Sequence, residues 1–222
     1  MHLHFEFLVE DQSGKLLLES LIPQIVAKPN TSNIISYKGV GNIPTDLRAT
    51  TDPSKRILLN NLPRLLKGYG KTYAKTGDFK GVVVIVCDLD RRCFKEFRQD
   101  IRNLIQNVPQ APETVLCLAI EEMEAWILGD LVAILRVFPK AKQNILNTYV
   151  NDSICGTWEK LADAVYKGGS EALMKDVSSA KGREKCAWAK KIGPLMNVDS
   201  NRSPSFCYFR DKIRKVQSQL GA

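Results

Sequence analysis

Six apolar residues followed by two spaced acids, Val82-Val83-Val84-Ile85-Val86-Cys87-Asp88-Leu89-Asp90, constrain this chain more than any other stretch. A β-branched run with no polar face reads as a strand covered on both sides, the middle of a parallel sheet with helices on either face. Acids at the C-terminal end of such a strand sit at the rim where open α/β sheets keep their ligands. Asp88 and Asp90 are two apart, so they point to the same side if the strand continues. Two adjacent carboxylates are costly unless a cation or hydrogen bonds offset them, and a hard divalent metal is the simplest candidate.

The rest of the first half supplies further strands and helices. Residues 3–9 alternate apolar and polar and predict a strand running to Glu10. Leu17, Leu18, Leu21, Ile22 and Ile25 have helical spacing. Ser32 to Val40 reads as a second strand, Pro53 to Lys67 as a helix kinked or broken at Pro63, and 68–81 as a basic, glycine-bearing loop. An amphipathic helix is expected from Phe94 to Val108, a fourth strand from Thr114 to Ile120, and one long helix from Met123 to Phe138. Alternation of this kind implies crossovers and a mainly parallel four-stranded sheet, an α/β fold. After Pro139 the pattern is helical only, at 142–150, 158–167, 170–175, 185–191 and 205–220. The predicted organisation is an α/β core over 1–139 and a basic helical region over 140–222 packed on it.

Acids recur at the strand ends: Glu10 after the first, Asp88 and Asp90 after the third, Glu121 and Glu122 after the fourth, with Glu124 just beyond. In a parallel sheet these ends share one edge, so residues distant in sequence converge. A carboxylate cluster suits Mg2+ or Mn2+ rather than zinc. Such a site supports phosphoryl transfer, and a crowded Glu10 would serve as general base. Acids at helix N-termini are also commonplace for reasons of dipole alone, which weakens the case for Glu121, Glu122 and Glu124 individually.

Taken together, Glu10 and Asp88-Leu89-Asp90 resemble the two acidic motifs of the Toprim fold family, a compact Rossmannoid domain of topoisomerases, primases, recombination proteins and OLD-type nucleases. The chain is similar, more closely, to a small standalone Toprim-like family catalogued as a domain of unknown function. The likeness lies in Val9-Glu10, Asp88-Leu89-Asp90, Glu122-Met123-Glu124-Ala125-Trp126-Ile127-Leu128-Gly129-Asp130 and Asn201-Arg202-Ser203-Pro204-Ser205-Phe206, and spans nearly the whole chain. The resemblance implies a magnesium- or manganese-dependent nuclease in which Glu10, Asp88 and Asp90 hold metal and carry catalysis, assisted by Glu122 and Glu124. It also implies an alternative, a non-catalytic subunit beside an ATPase partner, as in phage-defence loci. Toprim domains usually place glycine after the first glutamate, where this chain has Asp11.

Charge bears on the partner. From Lys181 to Ala222 there are ten Lys/Arg against three Asp/Glu, whereas residues 1–180 hold 22 against 21. A basic tail joined to a metal-type acidic cluster points to a polyanion partner, DNA or RNA. The candidate backbone contacts are Lys71, Arg91, Arg202, Arg210 and Arg214. Ser203-Pro204-Ser205 reads as the N-cap of a helix whose N-terminus, with Arg202, would take a phosphate. Gly68-Tyr69-Gly70-Lys71-Thr72 ends like a P-loop, but Leu65 stands where the first glycine belongs, which excludes an intrinsic ATPase. Trp126 reads as core. The six cysteines lack CxxC spacing, the N-terminus lacks a signal-peptide pattern, and no apolar run reaches the roughly 18 residues of a membrane span. A reducing cytoplasm is the expected compartment. A third reading is hydrolysis or transfer of a small phosphate ester.

Overall fold

The structure, a computed structural model, describes residues 2–44, 52–153, 156–177 and 179–221. Strands and helices alternate through β1 (His2–Val9), α1 (Gln12–Ile25), β2 (Thr31–Ser36), α2 (Leu58–Tyr73), β3 (Phe79–Asp88), α3 (Phe94–Asn107) and β4 (Glu113–Ala119). The sheet is parallel throughout, in the order β2-β1-β3-β4. Helices α4 (Glu124–Leu128), α5 (Leu131–Val137), α6 (Gln143–Leu146), α7 (Thr157–Val165), α8 (Gly169–Lys175), α9 (Ala180–Ile192) and α10 (Pro204–Leu220) follow.

The absence of a polar face on β3 has its reason in two cores. Val82, Val84 and Val86 pack with residues of α1, α9 and α10 on one side of the sheet. Val83, Ile85 and Cys87 pack with α2 and α3 on the other. Each such buried side chain contributes about 1.5–3 kcal/mol relative to exposure. The C-terminal helices are therefore half of the covering of the sheet, with Trp126, Trp188, Phe206 and Phe209 fully buried in the larger core.

The connections fix where a ligand can sit. From β1 the chain leaves through α1 to β2 on one flank; from β3 it leaves through α3 to β4 on the other. α1 lies on one face and α3 on the opposite one. The gap beyond the carboxyl ends of β1 and β3 is thus the topological switch point, the place where doubly wound sheets leave a crevice.

Several boundaries differ from the expectation. Residues 68–81 are not a loop: α2 runs on to Tyr73 and β3 begins at Phe79. Gly70 lies inside that helix, and it is glycine because a Cβ there would collide with the Gln110 carbonyl oxygen. The helix begins only at Leu58, after a short 3-10 turn at Pro53–Lys55, and Pro63 lies inside it without ending it. The second strand stops at Ser36, and Gly39 and Gly41 take positive φ beyond it. The long helix over 123–138 is two, because Asp130 caps α5 by accepting from Ala133 N at 3.0 Å. Of 142–150 only the four residues of α6 are helical. Among the described residues, no helix is long and apolar enough to cross a membrane, and five cysteines are free thiols.

Candidate functional site

Glu10 and Asp88 meet at the switch point. Glu10 follows β1 directly, its N–H donating to the Val86 carbonyl at 3.2 Å, so its backbone prolongs the ladder with β3. Its Oε2 accepts from the Asp88 N–H at 3.1 Å. Asp88 is the last residue of β3 and 9% exposed. Its Oδ1 is buried and has no hydrogen-bond partner among the described residues. Burial first, then the neighbouring Glu10 carboxylate, push the Asp88 carboxyl well above the usual range. Glu10 is raised too, chiefly by burial and then by the charges of Asp90 and Asp11, against the lowering effect of the Asp88 N–H.

Asp90 does not extend this pair as a strand would. β3 ends at Asp88, and Asp90 has φ of +49°, with its N–H donating to the Glu121 carbonyl at 2.9 Å. Its carboxylate is turned to Arg92, Oδ2 to Nη1 at 2.6 Å, and is 45% exposed. Asp90 therefore reaches the pair as a nearby charge on Glu10.

The third strand end divides its acids by role. Glu121 accepts from Gly156 N at 2.6 Å and Thr157 N at 2.7 Å, so it caps α7. Glu122 and Glu124 face a lysine instead. Lys185 Nζ lies 3.0 Å from Glu124 Oε2 and 3.4 Å from Glu122 Oε2, and Lys181 Nζ lies 3.8 Å from Glu122 Oε1. Burial pulls the Lys185 ammonium down, but Glu124, Asp88, Glu122 and Asp11 together hold it well above the usual lysine range. Glu122 is pushed up to about 7, by burial against the opposing pull of Lys185. The cation that the acidic edge demands is thus partly supplied by the chain itself. Lys185 carries no motif, yet 185, 188, 189 and 192 form one stripe of α9, and a lysine on a stripe with Trp188, Ala189 and Ile192 is the signal that marks it.

For a divalent metal only a reduced set of these residues is left without a cation partner. Among the described residues, no three His, Cys, Asp or Glu side chains are arranged to hold an ion. Glu122 and Glu124 are taken by Lys185 and Asp90 by Arg92, so the five-carboxylate set expected from the sequence does not assemble. Glu10 and Asp88 remain, and the buried Asp88 Oδ1 has no hydrogen-bond partner among the described residues. Magnesium needs only one or two carboxylates when water and phosphate oxygens complete its shell.

The expected phosphate contacts scatter. Lys71 is in the last turn of α2, at the edge where β3 begins, opposite the acids. Arg210 donates to the Val198 carbonyl and pairs with Asp211, and Arg214 pairs with Asp199 at 2.7 Å. Arg91 and Arg202 are exposed and form no ion pair among the described residues. The N-terminus of α10 is not open to phosphate. Asp152 already accepts there from Ser203 Oγ at 2.7 Å and from Ser205 N, while Ser203 caps Phe206 N. Asp11, where glycine was expected, caps α1 by accepting from Gly14 N at 2.7 Å.

The two most distinctive sequence blocks hold one another. Trp126 Nε1 donates to Ser205 Oγ at 3.0 Å, Asn201 Nδ2 to the Trp126 carbonyl at 2.8 Å, and Arg202 N to the Gly129 carbonyl at 2.9 Å. Residues 9–214 match the model of a family described as a domain of unknown function, DUF4276. The chain belongs to this family. No curated protein and no solved structure matches it. The DUF4276 match takes in the whole acidic edge, Lys185, and both interlocked blocks. Those blocks hold α4 against the start of α10, and thereby set where Glu122 and Glu124 stand relative to the sheet.

Proposed function

We propose that the protein is a Toprim-like, metal-dependent nuclease that hydrolyses phosphodiesters of DNA or RNA at the ends of β1 and β3. The observation that carries this reading is the buried, unpartnered Asp88 Oδ1 beside Glu10 at the switch point. Glu10 and Asp88 would hold Mg2+ or Mn2+, which when bound neutralises phosphate charge and lowers the pKa of a bound water.

The chain's own groups supply the rest. Glu10, its carboxyl raised by burial and by the charges of Asp90 and Asp11, is the group placed to act as general base. Asp90 and Arg92 form a rim pair, and exposed Arg91 beside them is placed to meet a phosphate. Lys185 holds Glu122 and Glu124 and places a fixed positive charge behind Asp88. Arg183 and Lys190 border a cavity of about 630 Å³ that opens against Asp11, Gln12 and Ser13, giving a polyanion a basic approach to the acids.

A second reading is favoured by one observation, the Lys185 ammonium among the acids. An edge neutralised from within would suit a non-catalytic nucleic-acid-binding subunit working with an ATPase partner. The deciding experiment incubates the purified protein with single- and double-stranded DNA and RNA in Mg2+, Mn2+ or EDTA. Metal-dependent cleavage lost in Asp88→Asn and Glu10→Gln supports the nuclease. Binding of nucleic acid with no cleavage in any metal supports the second reading, and cleavage that survives both substitutions overturns the assignment of the site. The free thiols and the absence of a membrane-spanning helix among the described residues accord with a cytoplasmic setting.

A further inference from the structure

A second open feature of the fold is the free edge of β4. Among the described residues β4 ends the sheet, pairing with β3 on one side only. Ala119 turns its carbonyl to β3, accepting from Leu89 N at 3.0 Å. Alternation along the strand then sends the N–H and C=O groups of Thr114, Leu116 and Leu118 to the open side. Ile120 N, next in that series, is met by Ser205 Oγ at 3.5 Å. A strand edge of this length is ordinarily blunted or covered, because unpaired amides template the addition of another strand.

Here the flanking helices stand back from the edge and leave a groove. One part, of about 370 Å³, lies between Phe94 and Arg98 of α3 and Pro204 and Tyr208 of α10, floored by Leu116, Leu118 and Ile120. A second part, of about 440 Å³, continues past Leu116 and Tyr208 to Arg102 and Lys212. Phe94 and Tyr208 are large rings left 41% and 45% exposed on its two lips. The groove thus runs along β4 from Ile120 to Thr114, about 20 Å at strand rise.

Its charge identifies what it takes. Three cations line it, Arg98, Arg102 and Lys212, and none of them forms an ion pair among the described residues. The acid lining it, Asp152, has both oxygens engaged at the start of α10. We propose that this groove docks an extended acidic segment of a partner protein, which adds to β4 as a fifth strand. Main-chain hydrogen bonds to Thr114, Leu116 and Leu118 give the register, the carboxylates on the α3 side meet Arg98 and Arg102, and the alternate apolar side chains pack on the α10 side against Tyr208, with Lys212 adding to the positive field. A second copy of this chain is the poorer occupant, because it would set each copy's Arg98, Arg102 and Lys212 against those of the other. This inference stands apart from the proposed nuclease activity.

The test uses the full chain and fluorescein-labelled peptides of alternating glutamate and valine, read by anisotropy. The same peptide with lysine for glutamate, and one N-methylated at every second amide, are the comparisons. The expected result is saturable binding of the acidic peptide alone, about tenfold weaker in the variant Arg98→Glu/Arg102→Glu, with slowed amide exchange at Leu116 and Leu118. Equal binding of the N-methylated peptide, no binding of the acidic one, or unchanged binding by the variant overturns the proposal. So does a dimer in light scattering that Leu116→Asp converts to monomer, since the occupant would then be a second copy.

Discussion

Lys185 Nζ lies 3.0 Å from Glu124 Oε2, with the two side chains 9% and 3% exposed. A buried pair of this kind adds little net stability over an apolar replacement of both partners, yet breaking it from one side leaves an uncompensated charge. Lys185→Met is therefore expected to cost about 3 kcal/mol at pH 8. Urea unfolding should show the loss shrinking toward pH 5, where the orphaned carboxylates take up protons. Lys185→Met combined with Glu124→Gln should recover part of it. A loss as large in the double variant would mean that packing of the lysine stem, and not the charge, was removed.

Asp88 ties the proposed metal site to a stability cost. Its carboxyl is raised well above the usual range by burial and by Glu10, so the ionised form is the strained one. Asp88→Asn should raise stability of the metal-free protein by about 1 kcal/mol at pH 8 and remove any stabilisation by Mn2+. Thermal unfolding with and without manganese reads both effects. A wild-type protein whose melting does not respond to manganese would end the metal assignment.

The pH dependence should run opposite to that of a salt-bridged surface acid. Glu122 is raised from about the ordinary glutamate value to about 7, so the folded state holds its proton more tightly than the unfolded chain. The stability this contributes is complete below the unfolded pKa and is lost as pH rises through about 7. Wild-type unfolding free energy should decline across that window, and Glu122→Gln should flatten the decline. A steeper decline in the variant would show that Glu122 is stabilised as an anion by Lys181 and Lys185.

Much of this architecture was legible because strands and helices announce themselves through burial. The run Val82–Cys87 has no polar face because two cores need it, and Glu10 and Asp88 follow from the rule that parallel strands share one edge. The fate of Asp90 was not legible, since its left-handed backbone depends on the Glu121 carbonyl, contributed by a distant strand end. Nor was the engagement of Glu122 and Glu124. Nothing local to them names Lys185, some sixty residues on, and the lysine shows only as a polar residue on an apolar stripe. Asp152, which closes the start of α10, lies in a turn with no periodicity to reveal it.

Glycine substitutions test the interlocked blocks directly. Gly129 has ordinary helical backbone angles, but a Cβ there would press on Asn201 Oδ1 and lie 2.8 Å from Ser203 N. Gly129→Ala must therefore push apart α4 and the start of α10, at a cost of about 2 kcal/mol. Gly68 is the contrast, exposed in the middle of α2 with nothing within 4 Å of an added Cβ. Gly68→Ala should gain about 0.5–1 kcal/mol by stiffening the unfolded chain and favouring helix. Chemical denaturation of the two variants separates the cases. A loss at Gly68 matching that at Gly129 would mean that residues 68–73 are not helical and that the P-loop-like stretch needs its glycine for another reason.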